Sequence, residues 1–303
     1  MPSLLILFLM ILFLLESMAA MIGNGFIIIV LGREWVQCWS LPPRDMILAS
    51  LGISRFFLQW AAVLSNFHTY FYPANRSFIL DIIWNFTNMA TFWFTTCIAF
   101  FYCVKISSFT HPIFLWLKWR ISRFVRWLLL WSLLISTLIC ISFFLKTYLV
   151  FQLQVTGNYS EKTTLEDLRS MLLHSHFFLP LQTFTLLIPF LFFLVCIILI
   201  ISSLCRHLGN MQHRIAGPWN PNMQVHVTTL KSFLFFLILY TSYVLPLMIS
   251  LSRPRSLSVC SSQFWVWEVV IYAGISIHPA FLILNSSKLR RALKKMLHDP
   301  EAA

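Results

Sequence analysis

A few residues of this chain combine recognising side chains with spacings that could do chemistry. Trp84 and Asn88 stand four apart and share one face of a helix. The indole offers a large flat apolar surface with one donor, and the amide both donates and accepts. The pair suits varied amphipathic small molecules; the alternatives are an interfacial aromatic for Trp84 and an interhelical hydrogen bond for Asn88. Glu268 is a lone acid in an apolar run, able to pair with a protonated amine or with Arg253 or Arg255. Tyr243 lies in another apolar run, where the plain reading is a core tyrosine with a bonded hydroxyl. Arg55 also lies inside an apolar run, where a charge needs partners or water and is a functional candidate by default. Glu16, Asn24, Ser276 and His278 are its candidate partners, and interhelical glue is the overlapping alternative. His174 and His176 form a lone HxH, more simply two ordinary loop histidines than a metal site. No HExxH, GxSxG, P-loop or GxGxxG occurs. Neither an enzyme nor a bound metal or cofactor is expected.

The elements that must position these residues are membrane helices. The chain has 303 residues, 59% of them hydrophobic and only 11% charged, against ~25% charged in a soluble globular chain. Too little polar surface exists to coat a water-soluble particle of this size. The net charge of +12 does not point to nucleic acid, because the cations cluster at the ends of apolar runs rather than on a basic soluble face. Seven apolar segments, about 4–31, 46–66, 79–106, 127–149, 177–205, 229–251 and 264–285, each reach the ~20 residues needed to span a bilayer. Helices are expected, since a lone span must satisfy its backbone internally. The first run lacks a basic leader and continues past Glu16 to Leu31, so it is expected to be a retained helix rather than a signal peptide.

The stretch 84–120 shows the logic of one span. It begins with Trp84, Asn85 and Asn88, runs through apolar and small residues to Val104, and ends in Lys105, a His111-Pro112 break, Lys118 and Arg120. One end is a pocket wall and the other a cytoplasmic handle. With the N-terminus outside, the inner loops and tail carry fifteen of the Lys and Arg residues and the outer loops six. The positive-inside rule therefore predicts N-out, C-in topology. The sequons at Asn158 and Asn75 then fall in outer loops and are candidate glycosylation sites.

After the seventh run, Leu289, Ala292, Leu293, Met296 and Leu297 follow i, i+3, i+4, i+7, i+8, with cations on the other face. A short amphipathic helix over 287–298, lying on anionic lipid, is expected. The expected fold is thus all-α, an integral membrane seven-helix bundle with a short amphipathic C-terminal helix, forming one domain over 1–303. The two halves show no repeat, which weakens a transporter reading. The seven cysteines show no CxxC and no zinc spacing.

The motifs narrow the class. The third run lacks Asp-Arg-Tyr at its inner end and reads Phe101-Tyr102-Cys103-Val104-Lys105-Ile106, then Ser108-Phe109-Thr110-His111-Pro112 and Phe114-Leu115-Trp116-Leu117-Lys118. This resembles the FYxxKI…FSHPxFLWLK signature of the type 2 taste receptors, the bitter receptors among G-protein-coupled receptors. Glu16 with Gly23-Asn24-Gly25-Phe26-Ile27, Leu41-Pro42-Pro43-Arg44-Asp45 with Ser54-Arg55 and Trp60, Ser203-Leu204-Cys205-Arg206-His207 with Met211, and His278-Pro279 with Ser287-Lys288-Leu289 resemble further family motifs in order. The likeness spans nearly the whole chain. It departs where the family has Gly-Asn before SKL, since Asn285-Ser286 stand here, and Pro246 interrupts the sixth run. No cysteine stands near the outer end of the third run or in the second outer loop, so the disulfide linking these in most rhodopsin-like receptors cannot form.

The resemblance implies a receptor that binds small bitter-type agonists from outside and activates a heterotrimeric G protein on the cytoplasmic face. It implies a pocket of Trp84, Asn88, Tyr243 and Glu268, the last standing ten residues before His278. It implies packing or activation roles for Glu16, Asn24, Arg55 and His278, and a G-protein-facing surface of Lys105, Lys118, Arg120, His207 and Arg214. Lipid is a further partner and nucleic acid is not. A pheromone-type chemosensory receptor is the alternative, and a small membrane transporter a more distant one.

Overall fold

The computed structural model describes residues 3–72, 77–107, 112–156, 179–214, 221–251 and 260–298. Among these the chain forms eight helices: α1 (Leu4–Cys38), α2 (Pro43–Phe71), α3 (Phe78–Ile106), α4 (Pro112–Thr156), α5 (Leu179–Arg214), α6 (Pro221–Leu251), α7 (Ser262–Asn285) and α8 (Ser287–His298). The first seven each hold a stretch long and apolar enough to cross a membrane. This is a seven-helix membrane bundle with a short eighth helix.

Helix ends fall where local chemistry favours them. The Ser3 hydroxyl accepts the Ile6 N–H at 3.3 Å, and Trp39 closes α1 in the left-handed region at φ 51°. Pro43 starts α2 and Pro112 starts α4, positions where a missing N–H costs nothing. His111 lies outside the described residues. Between α7 and α8, the Ser286 N–H donates to Leu282 O at 3.0 Å, and its hydroxyl accepts the Leu289 N–H at 3.4 Å. The serine that departs from the family pattern thus closes one helix and caps the next. Several helices outrun their apolar cores; α4 runs 45 residues through the cation-rich segment before Trp127, because nothing at the membrane boundary breaks the backbone ladder.

α3 is the most buried span and packs against α2, α4 and α5, while α4 is the least buried. α1 lies between α2 and α7, α6 between α5 and α7, and α8 against α7 and α1. Two glycines permit close approach. A Cβ on Gly23 would stand 2.8 Å from Pro279 Cβ, and one on Gly274 2.7 Å from the Leu239 carbonyl. Pro189 sits inside α5, and its carbonyl accepts the Thr96 hydroxyl at 2.9 Å, which ties α5 to α3.

Candidate functional site

Among the hydrogen bonds that cross between helices in the half of the bundle that holds Glu268, three involve the candidate pocket residues. Trp84 Nε1–H donates to the Tyr272 hydroxyl at 2.6 Å, joining α3 to α7. The Tyr243 hydroxyl donates to Asn88 Oδ1 at 2.5 Å, joining α6 to α3. Asn66 Nδ2–H donates to Glu268 Oε2 at 2.6 Å, joining α2 to α7. Trp84 and Glu268 are partly exposed, whereas Asn88, Tyr243 and Tyr272 are buried. The helical register explains the grouping: Trp84 precedes Asn88 by one turn on α3, and Glu268 precedes Tyr272 by one turn on α7.

Aromatic rings surround these pairs. Phe13 lies edge-on to Trp265 and Tyr272 at 5.9 and 5.6 Å between centroids, and Trp265 is also flanked by Phe67 and Tyr70. Phe92 packs 5.7 Å from both Tyr240 and Tyr243. Glu16 of α1 lies close enough to Glu268 for their charges to interact, and its Oε1 is buried with no hydrogen-bond partner among the described residues. Two acids from α1 and α7 thus converge beside an aromatic wall. A cation placed near them would find carboxyl oxygens and ring faces together.

One level deeper on α2 lies Arg55, only 2% exposed. Its Nη2–H donates to Thr95 Oγ1 at 3.4 Å, while Nη1 and Nε are buried without a partner among the described residues. Tyr240, Tyr243 and His278 lie within electrostatic reach of the guanidinium. His278 is buried against Phe236 at 5.1 Å. The Gln59 amide donates to Ser276 Oγ at 3.3 Å, linking α2 to α7. Of the partners expected for Arg55, His278 is near, but Asn24 turns back to its own helix and donates to the Ala20 carbonyl at 2.9 Å. Tyr243 touches both levels, through Asn88 above and the field of Arg55 below.

At the opposite end, Arg44 lies 5.8 Å from the Tyr102 ring, bringing the start of α2 to the end of α3. Lys105 sits 5.6 Å from the Phe101 ring and Arg120 5.4 Å from the Trp116 ring. Lys105, Lys118, Arg120 and His207 are exposed, and the His207 ring stacks on His226 of α6 at 6.3 Å. Arg214 is the last residue of α5. Lys288 of α8 bridges Glu34 of α1 and Asp45 of α2, at 2.7 Å from Asp45 Oδ2. Asn75, Asn158, His174, His176, Arg253 and Arg255 lie outside the described residues. Among the described residues no cluster of His, Cys, Asp and Glu could hold a metal ion.

Asn66, Gln59, Thr95 and Tyr272 join the site without a motif that marks them. A signal for three of them exists: Arg55, Gln59 and Asn66 recur at i, i+4 and i+11 along one face of α2, and Tyr272 follows Glu268 by four.

Residues 1–301 match the family model described as "Taste receptor protein (TAS2R)". The chain is 44% identical over 292 residues to taste receptor type 2 member 134 of Rattus norvegicus, covering 96% of this chain and 86% of the relative. It is 40% identical over 296 residues to taste receptor type 2 member 16 of Homo sapiens, covering 97% and 98%. It is 36% identical over 295 residues to member 41 of Mus musculus, covering 96% and 95%.

Proposed function

Since the chain belongs to the taste receptor type 2 family, we propose that it is a bitter-type chemosensory receptor coupled to a heterotrimeric G protein. Small amphipathic agonists enter from the extracellular side and settle among Trp84, Asn88, Tyr243 and Glu268, with Tyr272 and Asn66 completing the polar set. The observation that carries this reading is the set of three interhelical pairs, Trp84–Tyr272, Asn88–Tyr243 and Asn66–Glu268. Each joins helices that must shift if the far end of the bundle is to open. Each consists of groups that a ligand's own donors and acceptors can replace.

An agonist that exchanges these pairs for contacts of its own favours a different packing of α3, α6 and α7 and shifts a pre-existing equilibrium. Moving the population from 1:99 to 99:1 takes a differential affinity of ~5.5 kcal/mol, and a smaller difference gives a partial agonist. No bond in the ligand is broken. Arg55, with Thr95 and the nearby His278, holds the level beneath the pocket, while Glu16 acts at the pocket level beside Glu268 and Asn24 supports the packing of α1 from within its own helix. Lys105, Lys118, Arg120, His207 and Arg214 face the G protein. The orientation is N-out, C-in, with one receptor domain over the whole chain and glycans on Asn158 and Asn75.

The test is a calcium-release screen in cells carrying the receptor and a matched G protein, against a panel of bitter compounds. At least one compound gives a saturable, receptor-dependent response. A receptor at the cell surface that answers no member of a broad panel counts against the reading.

A further inference from the structure

A groove of about 680 Å³ opens between α1, α2 and α4, well away from the agonist pocket. Its wall is apolar along Ile28, Ala49, Ile53 and Leu129, with Gly32 in its floor. A Cβ on Gly32 would meet nothing within 4 Å, so the groove is unfilled at that point. Its one charged lining residue is Arg126, an exposed cation. The two acids nearest this end of α1 and α2, Glu34 and Asp45, are both engaged by Lys288. No ion pair holds Arg126 among the described residues.

Sequence places Arg126 at headgroup height. It is the last of the cations Lys118, Arg120, Arg123 and Arg126 before Trp127, and no Asp, Glu, Lys or Arg follows until Lys146. Across the groove Trp35 and Trp39 are exposed aromatics of the kind that sit at the membrane–water boundary. The groove therefore joins a cation at the interface to an apolar channel running into the hydrocarbon.

We infer that this groove binds one anionic phospholipid, its phosphate on Arg126 and an acyl chain along Ile28, Gly32, Ala49 and Ile53. A zwitterionic lipid brings the same phosphate but cancels it with its own amine, so net charge gives the preference. Basic pockets between spans on the cytoplasmic side recognise anionic headgroups in this manner. The bound lipid bridges three helices whose ends meet at the face proposed for the G protein. Placing it in the inner leaflet rests on the N-out orientation proposed above; the site itself does not.

The experiment is native mass spectrometry of the purified full-length receptor equilibrated in detergent with equal amounts of phosphatidylserine, phosphatidylcholine and cholesterol. Wild type retains one phosphatidylserine in preference to phosphatidylcholine. Arg126→Gln lowers that preference roughly fivefold, the factor for losing about 1 kcal/mol per cation at a lipid surface. Gly32→Leu, filling the groove floor, lowers retention of the adduct. Replacing Arg290, Arg291, Lys294 and Lys295 of α8 by Gln leaves it in place. Should Arg126→Gln fail to fold, Gly32→Leu decides alone: falling retention supports the site, and unchanged retention overturns it. Equal retention of the two phospholipids, retention of cholesterol only, a preference untouched by Arg126→Gln, or one lost only in the α8 variant would each overturn it. None of these readings needs an agonist, so the outcome is independent of the proposed receptor activity.

Discussion

Tyr243 of α6 donates its hydroxyl proton to Asn88 Oδ1 of α3 at 2.5 Å, with both side chains 1% exposed. Water cannot replace this bond without opening the bundle, so breaking it leaves a buried acceptor unsatisfied. That penalty is ~1–3 kcal/mol, enough to bias two helix packings that differ by a few kcal/mol. Tyr243→Phe removes only the donor. Agonist-free signalling is expected to change by about fivefold or more at matched surface level, read as inositol phosphate accumulation. Basal and agonist-driven responses identical to wild type would contradict a switching role for this bond.

Glu268 presents a carboxyl group held by the Asn66 amide. Glu268→Gln keeps an acceptor for the Asn66 amide but removes the charge. Cationic agonists are expected to lose about tenfold in potency, the scale of one charge-assisted hydrogen bond, while neutral agonists stay within about threefold. Equal loss for both classes, read from concentration–response curves, would rule out an ion pair with the ligand.

Arg55 contacts Thr95 and belongs to the level beneath the proposed pocket. Arg55→Ala is therefore expected to change basal or maximal signalling while leaving the rank order of agonists intact. Normal surface level together with wild-type basal and maximal responses would refute the packing role. A reordered agonist series would instead place Arg55 in the pocket itself.

The spans were legible because each is an apolar run bounded by cations or turn residues. The ends were not, since α4 continues through Lys118–Arg126 as regular helix, and helical hydrogen bonding is indifferent to where lipid stops. Trp84 and Asn88 were legible as one face, because four residues make about one turn. Their partners were legible only in part: the family resemblance groups Tyr243 with them, whereas Tyr272 comes from a helix whose facing depends on packing, including the approach of Gly274 to Leu239. Asn24 was expected near Arg55, yet an amide on a buried helix can satisfy itself on the carbonyl four residues back, and it does so at Ala20. Ser286 was visible only as a departure from the family; its hydroxyl on the Leu289 N–H supplies the reason that α8 starts there.

Lys288 ties α8 to both Glu34 and Asp45. The three groups are partly exposed, so each pair contributes no more than ~1 kcal/mol. Lys288→Glu does more than delete them, since it gathers three like charges. A lower melting temperature is expected for the purified receptor, with high salt recovering part of the loss by screening. An unchanged melting temperature at low salt would show that the clamp does not hold α8.

A small molecule bound among Trp84, Asn88, Tyr243 and Glu268 is proposed to drive G-protein activation. Nucleotide exchange on a purified heterotrimer, with the receptor in nanodiscs and an agonist from the calcium screen, measures this most directly. Agonist is expected to accelerate exchange saturably, and Trp84→Ala with Asn88→Ala is expected to abolish the acceleration in a receptor that remains folded. Unaltered acceleration in the double variant, or no acceleration by agonist in wild type, would contradict it.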